Sequence, residues 1–140
     1  MTTRFAVLVL FGLAVTHAHP AYALDDELKV GQDIFQQNCA MCHGPEGNGD
    51  GEIAVLFKLK PKALSQLSKE NGGEYPFELV YQTLKATKAV QGHGTEMPVW
   101  GGYFQVERAL NDPSMENDEA MAAIGRLLSV VYYIETLQEK

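Results

Sequence analysis

The chain has 140 residues, 46% of them hydrophobic and 21% charged, a composition that suits one ordinary globular domain. Its formal net charge of −7 argues against nucleic acid as a partner, because such binding depends on neutralising phosphates with basic groups. No internal repeat or low-complexity segment is present.

The N-terminus differs from the rest. Arg4 precedes the apolar run Phe5–Val15, and small residues, Ala21 and Ala23, follow a more polar stretch. This is the pattern of a secretory signal peptide over residues 1–23, cut after Ala23. The apolar run falls short of the ~20 residues that span a bilayer, so a retained anchor is the weaker expectation. Export would leave residues 24–140 as one domain. It removes Arg4 and no acid, which takes the net charge to −8. So small a domain gains from a cofactor that adds apolar volume to its core. The basic residues of this segment gather in its middle, at Lys58, Lys60, Lys62, Lys69, Lys85 and Lys88, between two acidic thirds.

A first helix is expected from about Asp26 to Asn38, capped by Asp25 or Asp26. Leu28, Gly31, Ile34 and Phe35 then share one face at spacings of three and four. The glycine-rich stretch from His43 to Gly51 is a loop. A second helix opens at Pro76, with Glu78 near its positive end and Lys85 and Lys88 near its negative end. The last helix starts at Asn117, Asp118 and Glu119 and carries an apolar stripe of Ile124, Leu127, Val131 and Ile134. Strand alternation is weak throughout, so the fold class is all-α. Residues 43–60 and 88–116 are expected to be mostly irregular. Loops of that length in a small domain call for something to organise them, such as a buried prosthetic group.

The only two cysteines are Cys39 and Cys42, followed directly by His43. Four uses compete for such a pair. A structural zinc site needs four ligands, and adjacent Cys42 and His43 rarely reach one tetrahedral metal together. A thioredoxin-like dithiol needs a βαβ context. A disulfide would close only a very short loop, which constrains the unfolded chain least. Covalent haem attachment accounts for all three residues. Two intervening residues bring both sulfurs to one side of a helical turn, where they can form thioethers with a haem, and the histidine supplies the iron's proximal nitrogen.

The segments GQDIFQQNCAMCHGPEGNGDG, GTEMPVWGG and VVYYIETL resemble the small soluble class I c-type cytochromes of bacteria, over roughly residues 26–138. The resemblance implies a cytochrome c fold, with three to five helices and long loops wrapped around one covalent haem c. It also implies a close crossing of the first and last helices at Gly31, with an aromatic nearby for which Tyr132 or Tyr133 qualifies. Cys39, Cys42 and His43 would hold the haem. The family's Met-Pro ligand loop points to Met97 as the second iron ligand. Pro98 fixes the backbone beside it, which suits a rigid ligand loop. His93, four residues earlier, is the alternative, since histidine also ligates haem iron. Met41 lies within the motif, Met115 among polar residues, and Met121 at the start of the last helix, where a core role is expected. A proximal histidine normally donates its other ring N–H to a carbonyl, here one near Pro61. Trp100 either donates to a haem propionate or packs in the core.

The function implied is single-electron transfer by an exported, periplasmic monomer, not catalysis. Its partners would be redox proteins, a dehydrogenase or reductase as donor and an oxidase or reductase as acceptor, with no stable membrane insertion. Two other readings stay open: a haem enzyme or gas-binding protein with a labile sixth ligand, and a dedicated cytochrome subunit of a larger oxidoreductase. Residues 103–118 exceed what a minimal cytochrome needs and bear on the second of these.

Overall fold

The computed structural model describes residues 22–86, 97, 100–105, 113–114 and 116–139, with side chains from Leu28 onward. The expected leader before Tyr22, His93, Lys88 and Met115 lie outside the described residues. Helix α1 spans Tyr22–Asn38, α2 Ala40–His43, α3 Leu67–Glu70, α4 Phe77–Lys85, α5 Trp100–Phe104 and α6 Asn117–Thr136. Two 3-10 turns, Ala54–Leu56 and Leu64–Gln66, complete the described elements, and no strand occurs among them.

Helix α1 begins four residues earlier than its acidic cluster suggested, so Asp25 and Asp26 lie inside its first turns instead of capping it. On its inner face Gly31 and Phe35 are buried, and Leu28 and Ile34 are half-buried. Helix α6 starts where the acidic run predicted, and Leu127, Val130, Val131 and Ile134 are sealed from solvent along it.

α1 and α6 form the most extensive inter-helix contact. Gly31 makes it possible. A Cβ at that position would stand 2.0 Å from the Ser129 carbonyl oxygen and 3.0 Å from Tyr133 Cβ. The absent side chain lets the backbones touch, and Phe35 then packs its ring against Tyr133 at 5.3 Å between centroids. Of the two candidate aromatics it is therefore Tyr133 that lines the crossing. Tyr132 points away and packs against Phe77.

Helix α4 covers the other side of α6, burying Val80 and Leu84 against the same core as Phe35 and Phe104. Pro76 is its capping residue and not its first helical one; its carbonyl accepts the first helical N–H, from Val80, at 3.1 Å. Tyr75 anchors the entry to α4, donating its hydroxyl to the Val131 carbonyl at 2.9 Å. Burial, reinforced by the charge of Glu135, pushes the Tyr75 phenol well above its ordinary range. The expected irregular stretch 43–60 contains one 3-10 turn, and Trp100–Phe104 forms a short helix within 88–116. Met121, expected in the core, is 67% exposed, because it falls on the outer face of α6, two residues before buried Ala123.

Candidate functional site

The Cys-x-x-Cys-His segment continues from α1 almost without a break. The Cys39 N–H bonds the Phe35 carbonyl at 2.8 Å, as a further helical residue would. Cys39 then caps the short helix α2, and its carbonyl accepts from both Cys42 and His43, at 3.1 and 2.9 Å. One turn of helix thus carries both thiols and the imidazole. Gly44 ends it with φ at +82°, a conformation that favours glycine, and its N–H closes on the Ala40 carbonyl.

His43 is the buried member of the group. Its Nδ1 lies 2.8 Å from the carbonyl oxygen of Lys62. A carbonyl can only accept, so Nδ1 carries the proton, and in the neutral ring Nε2 is the nitrogen with the lone pair. That is the tautomer a metal-binding histidine needs, set by its outer hydrogen bond. The acceptor belongs to the residue after Pro61, one position from the proline the sequence indicated. Pro61 serves otherwise: its carbonyl packs against Gly49, where a Cβ would stand 2.4 Å away. Gly49, at φ +73°, also donates its N–H to the His43 carbonyl at 2.6 Å. The loop from Gly44 to Gly51 thereby folds back under the histidine.

Both cysteines are unpaired and half-buried. Burial, with a smaller contribution from neighbouring Cys42, pushes the Cys39 thiol up to about 12, and burial also raises Cys42. Neither is a thiolate at neutral pH, whereas redox-active dithiols hold one cysteine low. Among the described residues no cluster of three or more His, Cys, Asp or Glu side chains could hold a metal ion, so the zinc alternative has no ligand set there. The donor set that is present, two thiols and a buried, oriented imidazole on one helical turn, fits a covalently attached haem.

The remaining sequence candidates lie around the core. Met97 is half-buried and packs against the same core cluster as Cys39. Trp100 opens α5, half-buried, with its ring 5.5 Å from Tyr103 and 6.4 Å from Phe104, which makes it part of the packing. Gly101 lets α5 approach the end of α4, where a Cβ would meet the Lys85 carbonyl at 2.1 Å. Sequence reasoning missed the Lys62 carbonyl, since a backbone acceptor has no residue-type signature; only the neighbouring proline marked the spot.

The helical architecture of the described residues, the α1–α6 crossing and the Cys-x-x-Cys-His turn are those of a cytochrome of the c type. The cytochrome c family model matches residues 28–124, and the chain belongs to that family. It is 29% identical to cytochrome c6 of Diacronema lutheri over 85 residues, which cover 61% of this chain and 87% of that relative. No solved structure gives a significant match. The chain is thus a haem-binding electron carrier at family level. No helix among the described residues is long and apolar enough to cross a membrane.

Proposed function

We propose that the chain is an exported monohaem c-type cytochrome that passes single electrons between redox proteins and catalyses no reaction itself. Cys39 and Cys42 would hold one haem c through two thioethers, and His43 and Met97 would be its iron ligands. The bound haem supplies a one-electron Fe(III)/Fe(II) couple. The observation that carries this reading is the His43 ring, buried on the same helical turn as Cys39 and Cys42 with Nδ1 donating to the Lys62 carbonyl.

The protein's own contribution is positioning. Helix α2 places three attachment groups on one turn, and the Lys62 carbonyl fixes the plane and basicity of the imidazole. Met97, bordering the core, offers a soft thioether that favours the reduced state relative to a second histidine. With His43 and Met97 both committed to the iron, a substrate would have no need of access to it.

Docking is electrostatic and brief, as small redox interfaces generally are. Lys62 is paired with Glu70, and Lys85 lies 5.7 Å from the centre of the Tyr81 ring. Lys58 and Lys60, on either side of the exposed Leu59, are the lysines assigned to steering.

Optical spectra of the purified protein in both redox states, with its mass, test the assignment. The expected result is a chain heavier by one haem, c-type bands on reduction, and the weak near-red band of ferric methionine ligation. A reduced protein that binds carbon monoxide rapidly at neutral pH would instead make it a haem enzyme or gas binder. Co-purification with a large subunit would make it a component of a larger oxidoreductase.

A further inference from the structure

The last described residues do more than end helix α6. The side chain of Gln138 commits both its N–H groups and its carbonyl oxygen to backbone. Its Nε2 donates to the Leu64 carbonyl at 2.8 Å and to the Ile134 carbonyl at 2.9 Å, while its Oε1 accepts from the Ser68 N–H at 2.8 Å. One amide thus joins the final turn of α6 to both ends of the 64–68 segment. The neighbouring Glu139 N–H adds a bond to the Ser65 carbonyl at 3.0 Å. Leu137 reaches the loop on the other side, its Cδ1 standing 3.3 Å from where a Gly47 Cβ would lie.

This segment follows directly on Lys62, the residue whose carbonyl receives the His43 Nδ1 proton. Other bonds also hold it: Ser65 N–H to the Gly47 carbonyl at 3.1 Å, Ser65 Oγ to Asn48 Oδ1 at 2.8 Å, and the exposed Lys62–Glu70 ion pair. The two Ser65 bonds tie the segment to the loop that leaves His43, so they move with the histidine. An exposed ion pair contributes little. Gln138 makes the shorter side-chain bonds between the acceptor segment and the end of α6, at 2.8 Å, beside a longer one of 3.5 Å from Ser65 Oγ to Glu139 Oε1.

A closed mechanical ring results. One arm runs from α1 through Cys39 to His43, and the other from α6 through Gln138 to Lys62. The two arms meet where α1 and α6 cross at Gly31 and Ser129. The donor and acceptor of the histidine's outer hydrogen bond are therefore held apart or together by the rigid helix pair.

We propose that Gln138 is a positioning residue for the proximal histidine, holding the Lys62 carbonyl on His43 Nδ1 and thereby setting the reduction potential. The inference rests on His43 being an iron ligand. A firm Nδ1–H···O bond makes the imidazole more basic and stabilises ferric iron. Loosening it raises the potential.

The experiment is Gln138→Met in the haem-loaded protein, a change of similar size that removes all three side-chain bonds. Gln138→Glu provides a second variant, keeping an acceptor for Ser68 and losing both donated bonds. Ala123→Gly is the control, because it weakens α6 at a point about 20 Å of helix before its end at Thr136. The measurements are the midpoint potential, the solvent exchange rate of the His43 ring N–H by NMR, and the exchange rate of the Ser68 amide. Both Gln138 variants should raise the potential and speed ring N–H exchange about tenfold or more in Gln138→Met, with Ser68 exchange faster as well. Ala123→Gly should lower stability and leave the potential and the ring proton unchanged. A wild-type spectrum with His43-ligated haem, beside an unchanged potential and ring proton in Gln138→Met, overturns the positioning role alone. So does an equal shift in Ala123→Gly. A wild type whose spectrum shows no histidine-ligated haem overturns the ligand assignment, and the positioning role with it.

Discussion

Gly31 and Gly125 both sit inside long helices, and alanine should act oppositely at the two. At Gly31 the new Cβ would lie 2.0 Å from the Ser129 carbonyl oxygen and 2.5 Å from its carbon. Relieving that contact to 3.4 Å requires the backbones of α1 and α6 to part by more than an ångström. The obstacle is main chain on a buried helix face, so no rotamer change can absorb it. Overpacking of this kind costs ~3 kcal/mol at the upper end of its usual range. Alanine's better helix propensity returns ~1 kcal/mol, which leaves a net loss of about 2 kcal/mol. For a domain of this size that lowers the melting temperature by roughly 8 °C. Phe35 and Tyr133, whose rings pack beside the crossing, should lose their contact as the helices separate. At Gly125 nothing lies within 4 Å of the Cβ position, so Gly125→Ala should gain ~0.5–1 kcal/mol from propensity alone. Denaturant unfolding followed by far-UV circular dichroism, with the slope compared across variants, measures both. A Gly31→Ala protein as stable as the wild type would refute the close crossing. Shifts of the same sign in both variants would refute the reasoning that separates them.

Truncating the sealed core residue Phe35 to alanine should cost ~3–5 kcal/mol by denaturant unfolding, against little for exposed Tyr132. Tyr75 governs an alkaline transition. Its folded pKa lies above the unfolded value of about 10, so its contribution is fully present below pH 10 and is lost as pH rises towards the folded value. Stability–pH curves should therefore fall above pH 10 in the wild type and flatten there in Tyr75→Phe. Met97→Ala should abolish the near-red ferric band, lower the midpoint potential and open the iron to carbon monoxide, while His93→Ala leaves all three unchanged; the reverse pattern would hand the ligand role to His93. Lys58→Glu combined with Lys60→Glu should slow electron transfer with an acidic partner at low salt and remove most of its ionic-strength dependence. Equal rates in wild type and variant would remove these lysines from docking.

How far the sequence reached depended on the kind of signal each feature leaves. The stripes on α1 and α6 were readable because a buried helix face must recur every three to four residues, and both helices have one. Helix ends were less readable. Asp25 and Asp26 suit a cap and a first turn equally well, and only the continued backbone shows which they occupy. Met121 was misplaced for a related reason: near the start of α6, a one-residue step moves a side chain by 100° around the helix, from the buried face to solvent.

By itself the sequence narrowed the chemistry of the proposed site. Two cysteines at i and i+3 with a histidine next to the second allow only a few uses, and attachment of a haem satisfies all three residues. Its resemblance to the family also implied a helix crossing at Gly31, which the structure shows. The tertiary structure alone decided the rest. It chose Tyr133 over Tyr132 at the crossing, brought the Lys62 carbonyl to His43, and tied that carbonyl's segment to α6 through Gln138. These are contacts between backbone groups, or between residues up to 74 positions apart. A carbonyl is the same atom in every residue, so nothing in the order of side chains marks which one a distant donor will find. Only the packing of α1 on α6 fixes that.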